Sequence, residues 1–195
     1  LEVPHVAPER PPIYPDVSHI VLLGLMGVGK STVGEALANQ VGWRFIDTDV
    51  EIEAVTGRTV RELWEQGGEE AYRPLEAQVV VDALERTDPS VLAAPGGVVN
   101  YEAASAAIER AEVVAVYLRA SVATLLERVG RNPGHRPLLG DQPEGVVAQL
   151  FAQRDRAYED LADVIVETDE LGLHEMARAV FDSLAGVAIR PTRAR

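Results

Sequence analysis

Gly24-Leu25-Met26-Gly27-Val28-Gly29-Lys30-Ser31 holds the chain's most specific chemistry. It fits G-x-x-x-x-G-K-[ST], a loop whose backbone N–H groups converge on a chain of phosphates. Glycine lets such a loop pass close to an anion. The start of the following helix adds partial positive charge there. The chain has 18 basic residues, and Lys30 is its single lysine. A compact ammonium at that one place suits a site too narrow for a guanidinium. A second pair of groups follows at Asp47 and Asp49, two acids separated by Thr48. Set near a phosphate loop, they suit Mg²⁺ and a substrate hydroxyl. A simpler use is to cap the next helix, which would engage one of them. Cations at Arg73, Arg136 and Arg154 could add anion binding from elsewhere in the chain.

The pattern around these residues predicts elements that would position them. His19-Ile20-Val21-Leu22-Leu23 reads as a buried strand, and Ser31 to Gln40 as a helix. Trp43 to Ile46 reads as a second strand beside the first, ending at the acidic pair. Ligands in open α/β sheets sit at that carboxyl edge. A helix over Val50 to Val55 stops at Thr56-Gly57-Arg58. Thr59 and Glu62 form a capping box for the next helix, which carries Trp64. Gln66-Gly67-Gly68 reads as a turn, and Glu69 to Leu84 as a long helix. Arg73 stands near the start of that helix, where its dipole disfavours a cation. Its partner is either a substrate anion or a neighbouring Glu69, Glu70 or Glu76. Val91 to Ala94 reads as a strand running into Pro95-Gly96-Gly97, a turn or a close approach to ligand. Tyr101 to Arg110 reads as a helix, Glu112 to Leu118 as a strand, and Val122 to Arg128 as a helix capped by Ser121. The stretch 130–143, with His135-Arg136-Pro137-Leu138-Leu139, reads as a closing lid, with a solvated surface loop as the alternative. Glu144 to Leu161, Val164 to Val166 and Leu171 to Leu184 complete the pattern as helix, strand and helix. Alternating strands and helices predict an α/β fold, a doubly wound parallel sheet of about five strands.

Composition narrows the classes. The 195 residues suit one domain, read here as 18–186, with a Pro-rich tail over 1–17 and a basic tail over 187–195. A net charge of −13 argues against a nucleic-acid surface. Without cysteine the chain has no thiolate nucleophile or thiolate metal site. No apolar run approaches the roughly 18 residues of a membrane span, and no secretory leader is visible. A cytoplasmic monomer with small-molecule substrates is expected.

In order and spacing the chain resembles the shikimate kinase family from about His19 to Leu184. The specific series is Phe45-Ile46-Asp47-Thr48-Asp49, Thr56-Gly57-Arg58-Thr59 and Gly68-Glu69-Glu70-Ala71-Tyr72-Arg73. Gly96-Gly97, Arg136-Pro137-Leu138-Leu139 and Arg154 with Tyr158 follow. The resemblance implies transfer of the γ-phosphoryl group of ATP to the 3-hydroxyl of shikimate, in aromatic amino-acid biosynthesis. It also implies a nucleoside-monophosphate-kinase-like fold with a mobile lid. Nucleotide binding then falls to Gly27, Val28, Gly29, Lys30, Ser31 and Thr32, with Arg128 beside adenine and Arg136 closing from the lid. Ser31 and Asp47 would hold Mg²⁺. Asp49, Arg73, Gly96, Gly97 and Arg154 would bind shikimate, with Trp64 and Tyr72 around its ring. Lys30, Asp49 and Arg136 would be catalytic.

Three departures bear on that expectation. Pro95 stands where the family usually has the first of three glycines, and proline lacks an N–H. Thr168-Asp169-Glu170 stands where an Arg and a Pro often contact adenine, so contacts to the base should be made differently. Asp155-Arg156-Ala157 is more polar than the usual segment. Two other functions share many of these residues: a kinase for another polyhydroxy acid such as gluconate, and an effector-binding module without chemistry.

Overall fold

A computed structural model describes residues 16–131 and 143–185. Five strands form one parallel sheet: β1 His19–Leu23, β2 Arg44–Asp47, β3 Ser90–Ala93, β4 Val113–Arg119 and β5 Val164–Glu167. Their spatial order is β2-β3-β1-β4-β5. β1 pairs with β3 from His19↔Ser90 to Leu22↔Ala93, and with β4 from His19↔Val113 to Leu23↔Tyr117. The three central strands are almost wholly buried. Helices cover both faces of a parallel sheet, so such strands need continuous apolar runs rather than alternation. This sheet matches the expected fold class. The adjacency expected of β2 is wrong: β3 lies between it and β1. Asp47 pairs in register with Ala93, and so reaches the loop after β1 from one strand away.

Among the described residues the helices are α1 Lys30–Val41, α2 Thr48–Thr56, α3 Val60–Leu84, α4 Glu102–Ile108, α5 Val122–Arg131, α6 Pro143–Leu161 and α7 Leu173–Leu184. A short 3₁₀ turn spans Val98–Asn100. The capping box is present: Glu62 N–H donates to Thr59 Oγ1, and Thr59 N–H to Glu62 Oε2. α3 is two helical segments that meet at a kink at Gly68, inside the turn expected at Gln66-Gly67-Gly68; its φ 62°, ψ −163° is a non-helical conformation that only glycine adopts readily. α5 runs on through Gly130 and Arg131, and Pro143 opens α6. Proline suits that position because the first helical N–H has no helical acceptor. The remainder of the expected lid, including Arg136, lies outside the described residues. The core joins β1, β3 and β4 to the inner faces of α1, α4 and α7, and Val17 already belongs to it.

Candidate functional site

One cavity of about 700 Å³ opens above the carboxyl edge of the sheet. At one end it is lined by Gly27, Val28, Gly29, Lys30, Ser31 and Thr32. At the other it is lined by Asp49, Trp64, Tyr72, Arg73, Glu76 and Arg154.

The first end is made mostly of backbone. β1 stops at Leu23, and the loop turns into α1 through Gly29, whose φ of 106° is left-handed. Gly29 offers no side-chain cap to α1. The first-turn N–H groups of a helix have no helical acceptor, and here they face the cavity. Lys30 Nζ donates to the carbonyls of Gly24 at 2.8 Å and Leu25 at 3.2 Å. The ammonium is thereby stored against the loop it belongs to. Ser31 Oγ donates to Asp47 Oδ2 at 2.6 Å. The other oxygen of Asp47 accepts from Asp49 N–H at 3.0 Å, which makes Asp47 the N-cap of α2. Capping and site-building therefore coincide in one residue instead of excluding each other. Arg128 is held by the carbonyls of Val28 at 3.3 Å, Thr168 at 2.5 Å and Leu171 at 3.3 Å. Leu171, Leu173 and Met176 line the wall beside it.

The second end is made of side chains. Tyr72 O–H donates to Asp49 Oδ1 at 2.8 Å. Burial pushes the Asp49 carboxyl above its ordinary range; the Tyr72 hydrogen bond opposes that rise, and neighbouring Asp47 adds to it. The Tyr72 phenol is pushed up by its own burial and by the Asp49 charge. Arg73 is buried and donates through Nε to Glu69 at 3.0 Å and through Nη1 to Glu76 at 2.6 Å. Among the described residues its buried Nη2 has no hydrogen-bond partner. Burial pushes this guanidinium down, but Glu76 and Glu69 more than offset it. Glu76 is buried too, and burial raises its carboxyl despite the pull of Arg73. Trp64 packs edge-on to Tyr72, with ring centroids 5.6 Å apart, and Arg73 Cζ lies 5.6 Å from the Trp64 ring. Arg154, also buried, donates through Nη1 to the Gly96 carbonyl at 2.8 Å. Tyr158 O–H donates to the same carbonyl.

A sequence model of the family described as "Shikimate kinase" matches residues 26–185. The chain belongs to the shikimate kinase family. It is 42% identical over 170 residues to the shikimate kinase of Halorhodospira halophila, covering 87% of this chain and 94% of that one. It is 39% identical over 164 residues to that of Thermobifida fusca, covering 84% and 93%. The solved shikimate kinase of Acinetobacter baumannii, in complex with shikimate, superposes with a TM-score of 0.80 at 32% identity, covering 86% of this chain and 93% of that one.

Most of the residues singled out for their chemistry line this one cavity. Gly97 does not. It is buried behind Arg73, where an added Cβ would lie 3.2 Å from Nη1 and 3.4 Å from Cδ and Cζ. Its small size makes room for the arginine instead of forming the wall. The sequence offers Glu76 only as a possible helix neighbour of Arg73, yet it is a buried wall of the cavity. A signal was available. Tyr72, Arg73, Glu76, Ala77, Val80 and Leu84 are the buried stripe of α3, and two charges on such a stripe must pair or bind something. Leu171, Leu173 and Met176 carry no comparable signal, because apolar residues there read as core.

Proposed function

We propose that the cavity holds ATP and shikimate end to end and passes the γ-phosphoryl group of ATP to the 3-hydroxyl of shikimate. Membership of the family carries the activity itself, an ATP-dependent phosphotransfer to shikimate. The observation that carries the arrangement is Arg73, which lines the same cavity as the phosphate loop and whose buried Nη2 has no partner among the described residues. A buried unpaired donor is costly. A carboxylate supplies the missing acceptor, and shikimate has one.

In this reading the loop from Gly27 to Thr32 holds the phosphates through backbone N–H groups. Lys30 leaves its two carbonyls and follows the charge that develops on the transferring group. Arg128 lies beside the adenine against Leu171 and Met176. Arg73 and Arg154 hold the shikimate carboxylate, with Gly96 beside it. Asp49 orients the 3-hydroxyl and takes its proton as the oxygen bonds to the γ-phosphorus and the bond to the β-phosphate oxygen breaks. Positioning and electrostatics supply most of the rate in such transfers. Arg136 closes from the lid. Ser31 and Asp47 fit Mg²⁺: a hydroxyl and a carboxylate are hard oxygen donors, and this ion keeps several waters. Among the described residues no cluster of three acids or histidines suggests a dedicated metal cage, which suits an ion held mainly by phosphates. Bound there, Mg²⁺ supplies charge neutralisation on the phosphates. We place the reaction in the cytoplasm, where ATP is available; no helix of the described residues could cross a membrane.

The test is ADP release with Mg²⁺ and a panel of acceptors. Release should depend on shikimate and stop with EDTA. Equal release with gluconate, or release indifferent to shikimate, would overturn the acceptor assignment.

A further inference from the structure

Arg154 and Tyr158 occupy one row of α6, and Asp155 and Glu159 the adjacent row, about 100° around the helix. The first row bonds the Gly96 carbonyl. The second faces β4. Tyr117 O–H donates to Asp155 Oδ1 at 2.8 Å, and Arg119 Nη2 donates to Asp155 Oδ2 at 2.6 Å. Arg119 Nη1 also pairs with Glu159 at 3.1 Å. The Tyr117 ring lies 5.0 Å from that of Tyr158, and both tyrosines are fully buried. β4 therefore grips α6 through the residue next to Arg154 and through the ring one turn beyond it. The segment Asp155-Arg156-Ala157, unusually polar for its place, has this use for its first residue.

We propose that Asp155, held by Tyr117 and Arg119, is a positioning residue that fixes the rotation and height of α6 and so aims Arg154 at the carboxylate of the acceptor. The Arg154 side chain bonds the Gly96 carbonyl and lies against the Tyr158 hydroxyl of its own helix. A buried guanidinium held in this way moves with its helix, so the rotation and height of α6 set where the fork points. Two acceptor oxygens on Asp155, each bonded to a different side chain of one strand, resist both sliding and rolling. Core packing of Val147, Tyr158 and Leu161 seats α6 on the sheet, and Asp155 adds the directional contacts beside Arg154. The inference rests on Arg154 binding the acceptor carboxylate, as proposed above.

The experiment compares steady-state kinetics of Asp155→Ala, Asp155→Asn, Tyr117→Phe, Arg154→Ala and the Arg154→Ala/Asp155→Ala pair in the full chain. Asp155→Ala should raise the KM for shikimate about fivefold, with the KM for ATP and kcat within about twofold. Asp155→Asn keeps an acceptor for Tyr117 and should restore part of the loss. In the Arg154→Ala background, removing Asp155 should add nothing further to the shikimate KM. A merely structural role predicts instead that both KM values and kcat change together, and that the two losses add; that result overturns the inference while leaving the binding role of Arg154 intact. If Arg154→Ala leaves the shikimate KM unchanged, the binding role fails first and the inference falls with it. If Asp155→Ala does not fold, Asp155→Asn and Tyr117→Phe carry the same comparison.

Discussion

The two ends of the cavity are built on different plans. The end at the loop, which we assign to phosphates, is built mainly on one stretch, Gly24 to Thr32, with the start of α1 exposed to it. Its lone ammonium rests on two carbonyls of its own loop. The acceptor end gathers Asp49 from α2, Tyr72, Arg73 and Glu76 from α3, Gly96 from the loop after β3, and Arg154 from α6. Its donors and acceptors are side chains, several of them buried charges. A backbone site is fixed once the loop folds and tolerates side-chain variation at most of its positions. A buried side-chain site depends on each partner, because removing one charge leaves another unsolvated and unpaired.

Substitutions at the two ends should separate along that line. Asp49→Asn should lower kcat by about 10²- to 10⁴-fold. ATP binding should persist, and Tm at neutral pH should hold or rise slightly, because a neutral amide avoids the burial that raises the Asp49 carboxyl. Near-normal turnover would end the assignment of Asp49. Lys30→Arg should cost about 10²-fold in kcat, judged from the loss of one preorganised donor, while shikimate still quenches or shifts Trp64 fluorescence. Loss of shikimate binding in that variant would show that the two ends are not independent.

Arg73→Ala should act on both function and fold. It leaves Glu76 buried beside an empty space, so we expect a loss of about 3 kcal/mol of stability by chemical denaturation, together with a much higher shikimate KM. A large KM effect with unchanged stability would place Arg73 on the phosphate end's plan.

Tyr72→Phe removes the hydrogen bond that holds the Asp49 carboxyl down. If ionised Asp49 is required, the acid limb of kcat/KM should already lie above the ordinary carboxylate range and should move to higher pH in the variant. The stability linkage has the same sign. The folded chain holds the Asp49 proton more tightly than the unfolded chain does, so stability falls as pH rises between the two pKa values. An acid limb that stays in place would exclude Asp49 as its source. The smallest effect should come from Gly97→Ala, whose new methyl would lie 3.2 Å from Arg73 Nη1. A shift of a few tenths of an ångström should raise the shikimate KM by about threefold and leave the KM for ATP unchanged.

The same division separates what could be read in advance from what could not. The phosphate loop, the strands at His19, Ser90 and Val113, and the capping box at Thr59 depend on neighbours within a few residues. Their patterns survive in one dimension. The placement of β2 did not, since nothing local to Trp43 to Ile46 says that β3 will insert between it and β1. The turn at Gly68 was legible because glycine pairs mark breaks, and the structure puts a kink there between two helical segments of α3. Of the partners open to Arg73, Glu69 and Glu76 take two of its nitrogens, and the third has no hydrogen-bond partner among the described residues.

The sequence by itself determined that a phosphate-loop motif follows β1, that the chain's one lysine lies in it, and that acids and arginines stand at the spacing of a family. Those are properties of residue type and of short-range geometry. Only the tertiary structure decided that Asp47 both caps α2 and meets Ser31, that Glu76 is a wall of the acceptor end, and that Gly97 stands behind Arg73 and not at the surface of the cavity. Each depends on burial and on distances between segments far apart in the chain, and desolvation is what turns a carboxylate or a guanidinium on a helix face into a group that must have a partner.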